Sequence, residues 1–284
     1  MAGLLTAADY PPQEELTRPA GIAYRQEALR RGAGVDGRDV RCGDNIYQRI
    51  ALFVPKRPNG IVLAWMHGGG WTSGYKEIMA FMAPPYLEAG MVFASIGYRL
   101  APEHLYPSGF EDAARGIKWL HDHAAEYGGD PEKIFVGGFS AGAHYAAHLG
   151  VRRDWQAPLD LPADVVKGCL PVSGTYDFTP QGGLTPKPRF LGKEEKTEKA
   201  ASPLYNIQGK PPPFLMANGT VDFPAIMLQT PRMQEALRGA GGECERIIFE
   251  GCDHFKSSLG TVDPEKPWLS RSIAWIANIG KGAR

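Results

Sequence analysis

Short apolar runs and stretches of helical period exchange places along most of the chain. Residues 49–54 and 61–66 read as strands, the second an unbroken apolar run of the kind a sheet covered on both faces needs, with residues 55–60 as the turn between them. A helix near 80–89, a strand at 92–96, a long helix near 110–127, a strand at 134–139, a helix at 141–151 and a strand at 166–172 follow. A strand at 214–217, a helix at 226–238, a strand at 244–249 and a helix at 268–279 complete the series. This exchange predicts an α/β protein with a mostly parallel central sheet and helices on both faces.

Two stretches depart from the alternation. Residues 12–31 are rich in Glu and Arg and end at Gly32, which predicts one or two surface helices ahead of the core, with a loose tail as the other reading. Residues 178–209 break into Gly, Pro, Lys and Glu without a clear apolar face, too long for a simple connection. Long irregular inserts either cover a site or move. There is no internal repeat and no compositional break, so residues 1–284 read as one domain, with 1–45 and 178–210 supplying a small cap.

Composition narrows the partners. Lys plus Arg and Asp plus Glu balance at 31 each without long runs of one sign, which argues against nucleic acid or an anionic membrane and for a neutral or weakly charged small molecule. Cys42, Cys169, Cys244 and Cys252 lack zinc-site spacing and are too few for a disulfide scaffold, so they are expected as buried free thiols. Residues 1–10 have no basic region ahead of their short apolar stretch, and no segment reaches the roughly 20 apolar residues of a membrane span. A cytoplasmic location is the default expectation, and a homodimer stays open.

The chemistry gathers where predicted strands end. Gly138-Phe139-Ser140-Ala141-Gly142 lies between an apolar strand and a helix, the setting of a nucleophile elbow, in which small flanking residues let the chain turn tightly around a serine. A serine hydroxyl needs a base, and the base needs an acid to hold its tautomer; in elbow hydrolases they follow in the order Ser, acid, His. His254 follows strand 244–249 and is the expected base, since His104, His121, His123, His144 and His148 fall in or beside predicted helices and His67 belongs to a glycine run. Asp222, after strand 214–217, is preferred as the acid. Asp253 adjoins the histidine too closely to reach its inner nitrogen, Asp177 sits on an earlier strand, and helix capping is the competing role for Asp222 itself. The run His67-Gly68-Gly69-Gly70-Trp71 after strand 61–66 supplies backbone N–H donors for a developing oxyanion. Gly69 and Gly70 with Ala141 are the expected donors, and Gly68 stays open. No Gly-Lys-Ser/Thr follows, so a phosphate cradle is not supported.

His67-Gly68-Gly69-Gly70, then Tyr98-Arg99-Leu100-Ala101-Pro102-Glu103, then Gly138-Phe139-Ser140-Ala141-Gly142 resemble, in that order, the esterase/lipase group of α/β-hydrolases, close to the hormone-sensitive-lipase-like carboxylesterases. The resemblance runs from about Val54 to the C-terminus. It implies the α/β-hydrolase fold, Ser140 as nucleophile, Asp222 and His254 as its partners, and an oxyanion hole from the glycine run with Ala141. Tyr98 to Glu103 is read as a rigid support. The sequence departs from the pattern at Val221-Asp222-Phe223-Pro224 and at Asp253, changes that bear on substrate preference. A carboxylesterase acting on small esters is expected, with Trp71, Phe139, Phe223 and Phe255 as pocket walls that also read as core. An arylformamidase on the same machinery and a ligand-binding receptor without turnover are the alternatives. No metal or organic cofactor is implied.

Overall fold

The computed structural model describes residues 3–13, 18–184 and 188–282, so parts of the expected cap, 14–17 and 185–187, and the extreme termini lie outside the described residues. Eight strands form the sheet: β1 Arg38–Arg41, β2 Arg49–Phe53, β3 Gly60–Met66, β4 Val92–Ile96, β5 Gly129–Phe139, β6 Val166–Val172, β7 Phe214–Gly219 and β8 Cys244–Phe249. Their order is β1-β2-β4-β3-β5-β6-β7-β8. β1 pairs antiparallel with β2, and β2 with β4, while every pairing from β4 through β8 is parallel. The central strands carry the apolar runs for a physical reason: β3, covered on both faces, is buried along all but its first residue.

The helices are α1 Pro19–Gly32, α2 Ala83–Glu88, α3 Ser108–His123, α4 Ala141–Val151, α5 Lys196–Ala201, α6 Pro224–Gly239, α7 His254–Leu259 and α8 Pro267–Gly282. Close approaches show that both faces are covered. A methyl added at Gly150 of α4 would meet Cys169, whereas one added at the neighbouring Gly168 would meet Trp275 of α8. Adjacent strand residues point to opposite faces, so α4 and α8 lie on opposite sides of the sheet. α3 buries Phe110, Ala113, Ala114, Ile117 and Leu120, the three-and-four spacing of a core-facing stripe. Tyr86 of α2 hydrogen-bonds Ser272 of α8 at 3.0 Å and accepts from Trp268 Nε1 at 3.3 Å.

Several elements differ from the sequence expectation. β1 was not anticipated, because Arg-Asp-Val-Arg has neither an apolar face nor strand-forming composition. It forms as a polar edge strand whose Asp39 is buried against Lys76 at 2.8 Å and beside Arg49. The helix expected near 80–89 is a buried 3-10 stretch, Lys76–Met82, that becomes α2. Lys76 itself is wholly buried. It is tolerated there because Asp39, Glu77 and the Tyr10 hydroxyl surround its ammonium, and this also pins the N-terminal segment to the core.

The insert is not structureless. Phe178, Phe190 and Leu191 are buried, and Phe190 stacks on Trp71 with ring centres 4.3 Å apart. Its apolar residues are too sparse to show a period, yet they converge on one aromatic cluster. Cys169, Cys244 and Cys252 are buried and Cys42 half-buried, all four free, and burial pushes the Cys42 and Cys244 thiols up to about 12. Among the described residues, no helix is long and apolar enough to cross a membrane.

Candidate active site

Because β3 through β8 are parallel, their C-terminal ends share one edge of the sheet, and the residues that follow them meet there. Ser140 follows β5 and holds φ 56° and ψ −115°, a left-handed-side conformation that side chains avoid. Its N–H donates to the Val172 carbonyl at 2.9 Å, which ties the turn to β6. The flanking glycines are obligatory. A Cβ at Gly142 would lie 2.1 Å from the Met66 oxygen, and one at Gly138 would lie 2.3 Å from the Gly142 carbonyl carbon.

His254 follows β8, where Asp253 caps α7 by accepting from the Lys256 N–H at 2.8 Å. Its Nε2 lies 2.9 Å from Ser140 Oγ and its Nδ1 lies 2.8 Å from Asp222 Oδ1. Asp222 follows β7 and is 4% exposed. Its Oδ1 also accepts from the Phe223 N–H at 2.7 Å, and its Oδ2 accepts from Ser173 Oγ at 2.5 Å and the Gly219 N–H at 3.4 Å. Burial pushes this carboxyl up, but the hydrogen bond and charge of His254, with the Ser173 and Phe223 donors, outweigh that and hold it below the ordinary carboxylate value. An ionised carboxylate only accepts, so the Nδ1 beside it carries the proton and Nε2 is free to accept from the serine hydroxyl.

The competing acids are engaged elsewhere. Asp253 caps its helix, and Asp177 pairs with Arg232 at 3.1 Å and accepts from Thr179 Oγ1 at 2.6 Å. Asp222 does not cap α6, whose N-cap is Phe223. Ser173 was missed from sequence; its position directly after β6, at the same sheet edge, is the signal that could have found it.

The glycine run follows β3. Gly69 has φ 131° and a Cβ there would lie 1.9 Å from the Ser73 oxygen, so only glycine fits. The Gly69 carbonyl accepts from the Thr72 and Ser73 N–H groups at 3.2 and 3.0 Å, which closes the run into a tight turn. Ala141 is the first residue of α4, where an N–H has no partner within the helix. The Tyr98 segment acts as the expected support: Tyr98 Oη donates to the His67 carbonyl at 2.8 Å, the Ala101 N–H donates to the Trp71 carbonyl at 2.9 Å, and Arg99 is fixed by Asp112 at 2.7 Å. His67 stacks on Tyr98 with centres 4.2 Å apart, and burial pulls its imidazole down to about 4.

A cavity of about 650 Å³ opens beside Ser140 and His254. Phe139, Phe223 and Phe255 line it, as expected from sequence, and Gly68, Gly69 and Gly70 of the glycine run line it too. Phe223 stacks on the His254 ring with centres 4.3 Å apart. Trp71 is a correction, for it is not among the cavity's walls. Its ring stacks on Phe190 and meets Phe178 edge-on, and its Nε1 donates to His144 Nδ1 at 3.1 Å. His144 in turn reaches the Ala201 carbonyl through Nε2 at 2.8 Å, so the glycine run, α4 and α5 are locked together. His144 and His148, read from sequence as surface or packing residues, are packing residues, fully buried. Gly183 and Leu184 of the insert and one face of α1 also wall the cavity.

Comparison with known proteins agrees with this architecture. A family model, BD-FAE, matches residues 51–237. The chain is 28% identical over 268 residues to the probable isoprenylcysteine alpha-carbonyl methylesterase ICMEL1 of Arabidopsis thaliana, a match covering 86% of this chain and 56% of that protein. It is 41% identical over 104 residues to carboxylesterase NlhH of Mycobacterium tuberculosis, covering 36% of this chain and 33% of that protein. The chain spans about half the length of the curated relatives it matches. Among solved structures, EstE1, a thermophilic carboxylesterase cloned from a metagenomic library, superposes with a TM-score of 0.73 at 24% identity, covering 95% of this chain and all of that one. Apo Thermogutta terrifontis esterase 2 superposes with a TM-score of 0.70 at 25% identity, covering 87% of this chain and 96% of that one. With the family model spanning more than half of its length, on a mostly parallel eight-stranded sheet, the chain belongs to the BD-FAE family of α/β-hydrolase-fold esterases.

Proposed function

We propose that this protein is a serine carboxylesterase that hydrolyses small carboxylic esters through an acyl-enzyme. The observation that carries the reading is the unbroken hydrogen-bond chain from Ser140 through His254 to Asp222 at the edge of a 650 Å³ cavity. As Ser140 Oγ attacks the ester carbonyl, its proton passes to His254 Nε2, and the ionised Asp222 stabilises the imidazolium that forms. The carbonyl oxygen becomes an oxyanion facing the N–H groups of Gly69, Gly70 and Ala141, each such donor being worth about 3 to 4 kcal/mol. His254 returns the proton to the departing alkoxide, and the alcohol leaves the acyl-serine. Water, deprotonated by the same Nε2, then attacks the acyl carbonyl; the bond to Ser140 Oγ breaks, the carboxylic acid leaves, and His254 returns its proton to the serine oxygen.

Relatives support the chemistry by their names: EstE1 and NlhH are carboxylesterases, and Thermogutta terrifontis esterase 2 has been solved phosphonylated by cyclosarin. The cap is proposed to consist of α1 with the Gly183-Leu184 edge of the insert, which wall the cavity opposite the sheet edge. The test is labelling by a fluorophosphonate together with a panel of p-nitrophenyl esters of increasing acyl length, run beside a formanilide. Labelling at Ser140 with ester turnover that Ser140→Ala abolishes supports the reading. An unlabelled, folded protein, or faster turnover of the formanilide, overturns it.

A further inference from the structure

The balanced net charge suggests a neutral ligand, but the cavity walls are not balanced. Arg18 and Arg25 both line it, and among the described residues no aspartate or glutamate does. Gly21 and Arg25 stand four positions apart on one face of α1, and Arg18 is the residue just before the helix, so the start of α1 brings both arginines to the cavity wall. Gly21 lets that face come close: a methyl there would lie 3.3 Å from the Phe255 ring, which is itself a wall.

Neither arginine has an anionic partner in the protein, among the described residues. Arg25 is half-buried, and burial lowers its pKa against the opposing influence of Tyr75 and Tyr24. A desolvated cation without a counter-charge is unfavourable unless something else supplies one. Arg18 lies over the face of Phe223, 5.1 Å from its ring centre, and Phe223 stacks on His254. One aromatic ring therefore separates the Arg18 guanidinium from the imidazole. Around them Tyr24, Phe139, Phe223, Phe255 and Leu184 present mostly aromatic and apolar surface, while the polar walls Thr72, Ser73, Ser140 and His254 carry no anionic group outside the reaction itself.

We infer that Arg18 and Arg25 form an anion-recognition subsite within the cavity, and that the ester this enzyme takes carries a carboxylate away from the scissile bond. The inference rests on the esterase reading of Ser140 and His254. Guanidinium groups bind carboxylates through paired N–H donors, stronger than neutral hydrogen bonds and more so where water is excluded. The carboxylate can stand on the acyl or on the alcohol side of the ester, and matched substrates separate the two.

The experiment compares kcat/KM for mono-4-nitrophenyl adipate against its methyl ester, and for 3-carboxyphenyl butanoate against 3-carbamoylphenyl butanoate. The protein is compared with Arg25→Gln, Arg25→Lys and the R18Q/R25Q double variant. The anionic member is expected to be favoured about tenfold or more in at least one pair, which identifies the side of the ester bearing the charge. That ratio should fall by about tenfold in Arg25→Gln, mainly through KM, fall further in the double variant, be partly kept by Arg25→Lys, and shrink with added salt. A ratio at or below one in both pairs overturns the subsite, as does a preference that survives in a double variant with native melting. If instead all four esters are inert and Ser140 fails to label with a fluorophosphonate, the esterase reading itself falls. A labelled, active protein without charge preference counts against the subsite alone.

Discussion

Replacing Asp222 with asparagine asks which hydrogen-bond partners decide the tautomer of His254. The two carboxylate oxygens face different company. Oδ1 accepts from a main-chain donor, the Phe223 N–H at 2.7 Å, while the main-chain donor on Oδ2, the Gly219 N–H, is 3.4 Å away. Main-chain donors cannot adapt, but the Ser173 hydroxyl on Oδ2 can rotate and accept. The amide should therefore keep its oxygen toward Phe223 and His254 and turn its NH2 toward Ser173. His254 then retains its proton on Nδ1, and only the charge of the acid is lost. Opposite charges about 4 Å apart at an effective dielectric of about 20 interact by about 4 kcal/mol. A neutral hydrogen bond keeps about half of that strength, leaving a loss of about 2 kcal/mol. At 1.36 kcal/mol per decade this is about a 30-fold fall in kcat, well short of the roughly 10⁴-fold that a mis-set tautomer costs in the serine-protease triad. Steady-state kinetics on a p-nitrophenyl ester gives the number, and the low-field Nδ1 proton resonance reports the tautomer. A fall near 10⁴-fold with that resonance gone would refute the reasoning.

Ser140→Ala should remove turnover down to a residual rate of about 10³ to 10⁴ over water, with an unchanged thermal melt, since both residues sit in the same strained turn; coupled kinetics and calorimetry check the two halves. Gly69→Ala places a methyl 1.9 Å from the Ser73 oxygen, so the loop must move and kcat should fall about 10²- to 10³-fold, the loss of one oxyanion donor. Trp71→Phe leaves the Nδ1 of buried His144 without its donor and should lower stability by about 1 to 3 kcal/mol in urea titrations. Burial holds His67 and His144 down to about 4 and about 3, so the unfolded chain binds more protons than the native one below pH 6.5. Stability should accordingly fall as pH drops from about 6.5 toward 4, and His144→Gln should flatten that slope in melts taken across the window.

Much of this site was legible because its pieces are local. The elbow is a five-residue event: the apolar run through Val136, Gly138, Ser140 and Gly142 specify strand, turn and helix start without reference to anything distant. That Gly69 and Gly70 would lie at the site was legible for the same reason, since a glycine run directly after a strand lies where that strand ends. Asp222 could be preferred over Asp177 only by strand order and over Asp253 only by the reach of its side chain. The hydrogen bonds that separate them join residues 32 or more positions apart or depend on the start of α7. Trp71 was misread because an aromatic beside a catalytic loop looks the same in sequence whether it faces substrate or core. Phe190, 119 positions on, decides the matter by stacking against it.

Sequence alone determined the alternation of strands and helices, the strained serine turn and the glycine-rich turn after β3, all of which follow from side-chain period and backbone sterics within a few residues. Only the tertiary structure decided that Ser173 shares the carboxylate, that a polar tetrapeptide becomes the edge strand, and that Arg18 and Arg25, at the start of α1 and within it, line the cavity. Those outcomes depend on where one element's surface meets another's. Burial, charge pairing and cavity shape belong to the packed assembly, and no window of sequence contains them.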